Sequence, residues 1–290
     1  MTKRHQLIFG PGGNSESFYA QGHKRTVETF AWQKEQFGLK AFEYSFGRGI
    51  NVSDAAAREI GQAARDSGVT LSVHAPYYIN LASNMPETRE KSIGYIRYSA
   101  RLLRLMGGRR LVVHPGSPLK QPREEALARC VQALRQARAA LLEDGNGEVA
   151  LALETMGRPS QIGTLEEILD FVLLDASFLP CVDFAHLHAA SGGALKQEKD
   201  FAAVLDRTEA RLGYERARQM HIHFSKVEYG PKGELRHRLF SDEGFGPDFH
   251  PLIRLLVRRD YRAIIICESR GTMAEDAAVM QRAADEVLTG

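Results

Sequence analysis

The chain is 290 residues long, 43% apolar and 26% charged, with 38 basic side chains against 36 acidic ones. That apolar share excludes a disordered or collagen-like chain, and no uninterrupted apolar stretch is longer than the five residues of Ala263 to Cys267, far below the ~20 residues of a membrane span. The near-cancellation of charge argues against a generally basic nucleic-acid coat, while leaving room for a local basic cleft.

Short β-type apolar runs alternate along the chain with longer helical patterns. In order, the periodicity predicts a strand over 6–9, a helix near 24–37, a strand over 41–44, a helix near 54–67, a strand over 70–73 and a helix near 87–106. A strand over 110–113, a helix near 123–143, a strand over 149–153, a helix near 164–175 and a strand over 180–182 follow. The last are a helix near 198–213, a strand over 219–224, a helix near 248–259, a strand over 262–267 and a helix near 273–288. Start signals support several: Ser53-Asp54, Pro86-Glu87, Pro122 with Glu124, and Thr164-Leu-Glu-Glu167, which reads as a capping box. Eight strand-helix units are the count of an α/β (β/α)8 TIM barrel, whose parallel strands need such crossovers. No long linker or low-complexity tract interrupts the alternation, so one barrel domain is expected over 1–290. An open doubly wound sheet is the alternative, but the first turn, Gly10-Pro-Gly-Gly-Asn14, lacks the G-x-G-x-x-G fingerprint.

In such a barrel the chemistry sits at the C-terminal ends of the strands. Strand three ends in His74, strand four in His114, strand five in Glu154, strand six in Asp183 and strand eight in Glu268. Strand seven, Met-His221-Ile-His223-Phe, carries two histidines of one parity, both aimed into the barrel while Met220, Ile222 and Phe224 face the helices. His223 lies nearer the mouth and is preferred over His221. A lone strand-end histidine is ordinarily a hydrogen-bonded structural residue. Three carboxylates and several imidazoles around one axis are different, because they repel or desolvate one another unless cations hold them. Zinc takes about three or four protein ligands. With His186 and His237 added, the candidates exceed one ion's needs. Glu154, Asp183 and Glu268 supply three negative charges, so two divalent ions leave +1 and three leave +3, enough to attract a phosphate. Imidazole with carboxylate points to zinc, with manganese as second choice.

The ordered set His74-Ala-Pro-Tyr77-Tyr-Ile-Asn80-Leu-Ala, His114-Pro-Gly-Ser117, Leu-Glu154-Thr, Cys-Val-Asp183-Phe-Ala-His186 and Glu268 resembles the endonuclease IV family of zinc-dependent apurinic/apyrimidinic endonucleases. The resemblance implies a xylose-isomerase-like barrel and a trinuclear zinc site. His74 and His114 would hold one ion, Glu154 would bridge to a second held by Asp183, His223 and Glu268, and His186 would hold a third, joined by His237. It also implies attack by a zinc-activated hydroxide on the phosphodiester 5′ to an abasic site in double-stranded DNA. One departure falls in the family's Asp-x-His after strand seven, which reads Leu235-Arg236-His237 here, so that either Glu234 substitutes or the third ion is weak or absent. The N-terminal third also differs, as expected of a divergent member.

The mouth loops offer cations interleaved with aromatics: Arg48, Tyr77 and Tyr78, Lys226, Lys232, Arg236, Arg238 and Arg270. Such a rim suits a phosphate backbone and stacking into the gap left by a missing base. By resemblance, Tyr77 and Arg48 match DNA-inserting positions. Glycines 10, 12 and 13 allow either an anion nest or a tight turn.

A rival reading is a sugar isomerase or epimerase with one manganese or magnesium ion on Glu154, Asp183, His223 and Glu268. There Glu154 and Glu268 would exchange protons beside a carbonyl. His74 and His114 discriminate, since an epimerase has no need of them as ligands. A third reading is a barrel that binds a sugar or nucleotide without turnover. Three cysteines without a CxxC pair, and no apolar leader, predict a cytoplasmic protein; no membrane partner is expected, and no obligate protein partner is evident in the sequence.

Overall fold

Eight parallel strands close a barrel in the computed structural model, which describes residues 6–47 and 49–289. In chain order the elements begin β1 (Ile8–Pro11), α1 (Glu16–Ala20), α2 (Thr26–Phe37), β2 (Ala41–Ser45), α3 (Asp54–Ser67) and β3 (Thr70–His74). They continue α4 (Pro86–Leu105), β4 (Arg110–Val113), α5 (Arg123–Glu143), β5 (Ala150–Glu154), α6 (Leu165–Val172), β6 (Leu179–Asp183) and α7 (Phe184–Ala190). The last third holds α8 (Glu198–Leu212), α9 (Tyr214–Ala217), β7 (His221–Phe224), β8 (Lys226–Gly230), β9 (Gly233–Arg238), α10 (His250–Arg258), β10 (Ile264–Cys267) and α11 (Met273–Thr289). The barrel sheet runs β1-β10-β7-β6-β5-β4-β3-β2, and β8 with β9 form a separate antiparallel hairpin.

The local signals act as expected. Ser53 accepts a hydrogen bond from Ala56 N to cap α3, and Thr164 with Glu167 forms the reciprocal capping box of α6. Strand alternation then sorts the side chains. Val73, Leu111, Val113, Leu151 and Leu153 pack outward with the helices of one half of the ring, and Val182, Ile222, Phe224, Ile265 and Cys267 do so in the other. The opposite parity fills the barrel interior with two small clusters, Ala41, Ile264 and Ile266, and Val112, Ala152 and Cys181.

Two expectations are corrected. The first strand runs over Ile8–Pro11 rather than 6–9, because its pairing with β10 continues through Gly10 and Pro11 to Cys267. Gly10 is therefore neither nest nor turn: a Cβ there would lie 1.8 Å from the Ala41 carbonyl oxygen, and Lys40 N donates to Phe9 O at 3.1 Å to close β1 against β2. Second, the segment after β7 is not a loop but the β8–β9 hairpin.

Candidate metal centre

The strand-end residues converge. His74, His114 and Glu154 bring donor atoms within 4.8 Å of one another, as do Glu154, Asp183, His223 and Glu268, and as do Asp183, His186 and His237. Glu154 belongs to the first two groups and Asp183 to the last two, so the three are contiguous. Glu154 is 1% exposed, with Oε2 at 2.9 Å from His114 Nε2 and 3.1 Å from His74 Nε2, and Oε1 at 3.1 Å from His223 Nδ1. Glu268 Oε1 lies 3.5 Å from the same His223 nitrogen.

Neighbouring groups orient the rings. His74 Nδ1–H donates to the Ala75 carbonyl at 2.7 Å and His186 Nδ1–H to the Thr155 carbonyl at 2.8 Å, because a carbonyl can only accept. His237 Nδ1 is hydrogen-bonded to the Ser225 hydroxyl at 2.7 Å. Each ring is thereby left with Nε2 facing the carboxylates, the arrangement that outer partners give to metal-ligating imidazoles. Asp183 caps α7 through Oδ1, which accepts from His186 N at 2.8 Å, while its Oδ2 is buried with no hydrogen-bond partner among the described residues. An orphaned buried carboxylate oxygen among imidazoles and carboxylates fits a divalent cation of the zinc or manganese type.

The electrostatics say the same. Burial pushes Glu154 up, but the positive charges of His114 and His223 outweigh it and hold the carboxyl well below its ordinary range. His74 is pushed down by burial and carried up to about 9 by its hydrogen bond and charge interaction with Glu154. His186 is raised well above its ordinary value, Asp183 and Glu234 overcoming burial. The site draws positive charge, as protons or as metal ions, to the same nitrogens.

β7 separates its two histidines by depth. His223 reaches Glu154 and Glu268, whereas His221 Nε2 lies 3.0 Å from the buried Glu43 of β2, and burial holds His221 down at about 4. Cys181, His221 and His223 make a further close group, but burial raises the Cys181 thiol well above its ordinary value, so it stays protonated.

The hairpin supplies a carboxylate that a regular strand would not. Tyr229 pairs with Glu234 and Glu228 with Arg236, so Leu235 is the extra residue of a β-bulge. In a regular strand, positions 234 and 237 point to opposite faces. The bulge brings them to one face, with Glu234 Oε2 at 3.3 Å from His186 Nε2 and Oε1 at 3.5 Å from His237 Nε2. Burial pushes Glu234 up most strongly of any single cause, but its hydrogen bond to His186 and the charges of His186, His237 and Arg158 together outweigh it and hold the carboxyl at about 2. Gly157 makes room, since a Cβ there would lie 2.8 Å from that of Glu234.

Above these groups opens a cavity of about 500 Å³, lined by His74, Tyr77, His114, Glu154, Arg158, His186, Glu234, His237 and Glu268. A larger groove of about 1110 Å³, among Arg58, Arg97, Arg101 and Arg104 on the outer helices, has no converging histidines and carboxylates. Tyr77 stands 55% exposed at the cavity rim. Arg236 is exposed, paired with Glu228 at 2.7 Å, and lines an adjoining hollow with His237 and Arg270. Lys226 is not a free rim cation as expected: as the first residue of β8 it turns away, and Nζ donates to the carbonyls of Phe240 at 2.6 Å and Asp242 at 2.7 Å. Arg48 lies outside the described residues. Two residues escaped the sequence reading. Arg158 follows β5 by four positions, a signal the strand-end rule could have used, whereas Glu43 sits inside an apolar run and gave none.

The family model for the xylose isomerase-like TIM barrel matches residues 33–286. An uncharacterized protein of Methanocaldococcus jannaschii is 32% identical over 287 residues, 99% of this chain and 100% of that protein. A probable endonuclease 4 of Oceanobacillus iheyensis is 29% identical over 223 residues, 73% of this chain and 71% of that protein. Among solved structures, endonuclease IV from Thermus thermophilus superposes with a TM-score of 0.66 at 22% identity, covering 98% of both chains. A D-tagatose 3-epimerase-like protein does so with a TM-score of 0.67 at 18% identity, covering 87% of this chain and 89% of that one. Both likenesses are of fold.

Proposed function

The chain belongs to the xylose isomerase-like TIM-barrel family, and on that premise we propose that it is a zinc-dependent phosphodiesterase that cleaves DNA 5′ to abasic sites. The observation that carries this reading is the first group. His74 and His114 both reach Glu154, which also belongs to the group of Asp183, His223 and Glu268, so the donor set suits more than one ion. His74 and His114 would hold one ion with Glu154, and Asp183, His223 and Glu268 would hold a second with the same carboxylate. His186 and His237 would hold a third, with Glu234 in the place of the aspartate for which this chain has Leu235. Bound ions supply the charge that activates water and stabilises a departing oxygen.

The chain's own residues do the rest. The carbonyls of Ala75 and Thr155 fix which nitrogen of His74 and His186 is bare, and the Ser225 hydroxyl orients the His237 ring. Tyr77 offers a ring to stack where a base is missing, and Arg158 and Arg236 offer guanidinium forks to the phosphates flanking the lesion. Manganese would suit the same donors. No helix among the described residues is long and apolar enough to cross a membrane, and the buried free cysteines Cys130, Cys181 and Cys267 suit a reducing cytoplasm.

The second reading is a sugar epimerase using one ion on Glu154, Asp183, His223 and Glu268, favoured by the completeness of that quartet. It leaves His74 and His114 without a task. A duplex with one abasic analogue, incubated with the zinc-loaded protein, is expected to be nicked 5′ to the lesion. Intact duplex alongside turnover of a ketose would establish the second reading instead.

A further inference from the structure

One buried carboxylate has no place in the three groups. Glu43, in the middle of β2, is 1% exposed. Its Oε2 accepts from the Ser72 hydroxyl at 2.7 Å and lies 3.0 Å from His221 Nε2. His223 Nε2 lies 2.9 Å from its Oε1 but off the line of a hydrogen bond, so among the described residues both atoms are buried without a hydrogen-bond partner. An ionised carboxylate at this depth is tolerable only if cations or donors surround it.

The His223 ring thus lies between two sets of carboxylates. Nε2 faces Glu43 in the closed interior, while Nδ1 faces Glu154 and Glu268 toward the cavity. Glu154 is already engaged by His74 and His114, and Glu268 is 22% exposed. Among the described residues, the charged group that reaches Glu43 Oε1 is this ring. We propose that Glu43 is a positioning residue of the metal centre: with a small turn of the ring it accepts a hydrogen bond from Nε2–H of His223, and so presents a bare Nδ1 to the ion that Glu154, Asp183 and Glu268 would share.

Glu43 differs in kind from the partners of the other rings. His74 and His186 donate to neutral carbonyls, and His237 pairs with a hydroxyl. A carboxylate partner fixes the tautomer and raises the ligand's basicity more than a carbonyl does. Its effect should therefore fall on one ion of the set. Ser72 and His221 hold the opposite oxygen and keep the carboxylate from turning away.

The inference rests on the metal reading of the site and not on the choice of abasic DNA as substrate. Its test is made on the full chain with zinc. In wild-type protein labelled with ¹⁵N-histidine and loaded with zinc, His223 is expected to show a protonated Nε2 and a metal-shifted Nδ1. Coordination through Nε2 would overturn the proposal, and this measurement decides even if a variant fails to fold. By competition with a chromophoric chelator, Glu43→Gln is expected to bind one ion about 10- to 100-fold more weakly and the others unchanged. Wild-type affinity for every ion in a folded Glu43→Gln protein would also overturn it. A wild-type chain that takes up no zinc would instead remove the metal reading beneath it.

Discussion

Glu154 is the residue on which the site turns, because its two oxygens face different partners. Oε2 meets His74 and His114 while Oε1 meets His223, all within 3.1 Å. Glu154→Gln keeps the volume and halves the acceptor capacity. It is expected to lower the cleavage rate more than about a hundredfold, the scale of the several kcal/mol that metal charge contributes, with the circular dichroism spectrum unchanged. A folded Glu154→Gln protein with undiminished activity would show that Glu154 bridges nothing. Residues of this kind were legible because strand ends are where a barrel collects its chemistry, and a polar side chain terminating an apolar run is visible in one dimension. Glu43 was not, since its partner His221 stands 178 positions away and only the closed barrel brings them together.

At the scale of elements, the hairpin β8–β9 decides whether the third group is complete. The bulge at Leu235 turns the Glu-x-x-His spacing of Glu234 and His237 into a same-face pair. Glu234→Ala is therefore expected to cost one zinc per chain. Deletion of Leu235 leaves Glu-x-His in a regular strand, again on one face, and is expected to retain that ion. Metal content after dialysis checks both, and an unchanged count in Glu234→Ala would mean that Glu234 is only a neighbour of the imidazoles. The long helices were legible from their apolar stripes and caps. The hairpin was hidden by its own composition, for its lysines, arginines and glutamates read as a solvated loop and the bulge breaks the two-residue period that marks a strand. The short helices α1, α7 and α9 span too few residues to show a period at all.

At the scale of the whole molecule, barrel closure sets the spacing on which every donor pair depends. β1 and β2 meet so closely at Gly10 that a methyl group there would lie 1.8 Å from the Ala41 carbonyl oxygen. Gly10→Ala is expected to lose about 3 kcal/mol or more in urea unfolding, since backbone rather than a flexible side chain must give way. A loss below about 1 kcal/mol would mean that the seam opens without cost. The eight-unit alternation made the barrel legible, but which strands close on one another emerges only from the register. The fold itself leaves the chemistry undecided, because the endonuclease IV structure and the epimerase-like structure superpose almost equally, with TM-scores of 0.66 and 0.67. What separates the two readings is the pair of imidazoles that only a multinuclear centre uses. Zinc counted per chain, in wild-type protein and in the His74→Ala/His114→Ala variant, is the most direct test. A multinuclear centre predicts three ions falling to two, whereas a single ion that the double substitution leaves in place would contradict it.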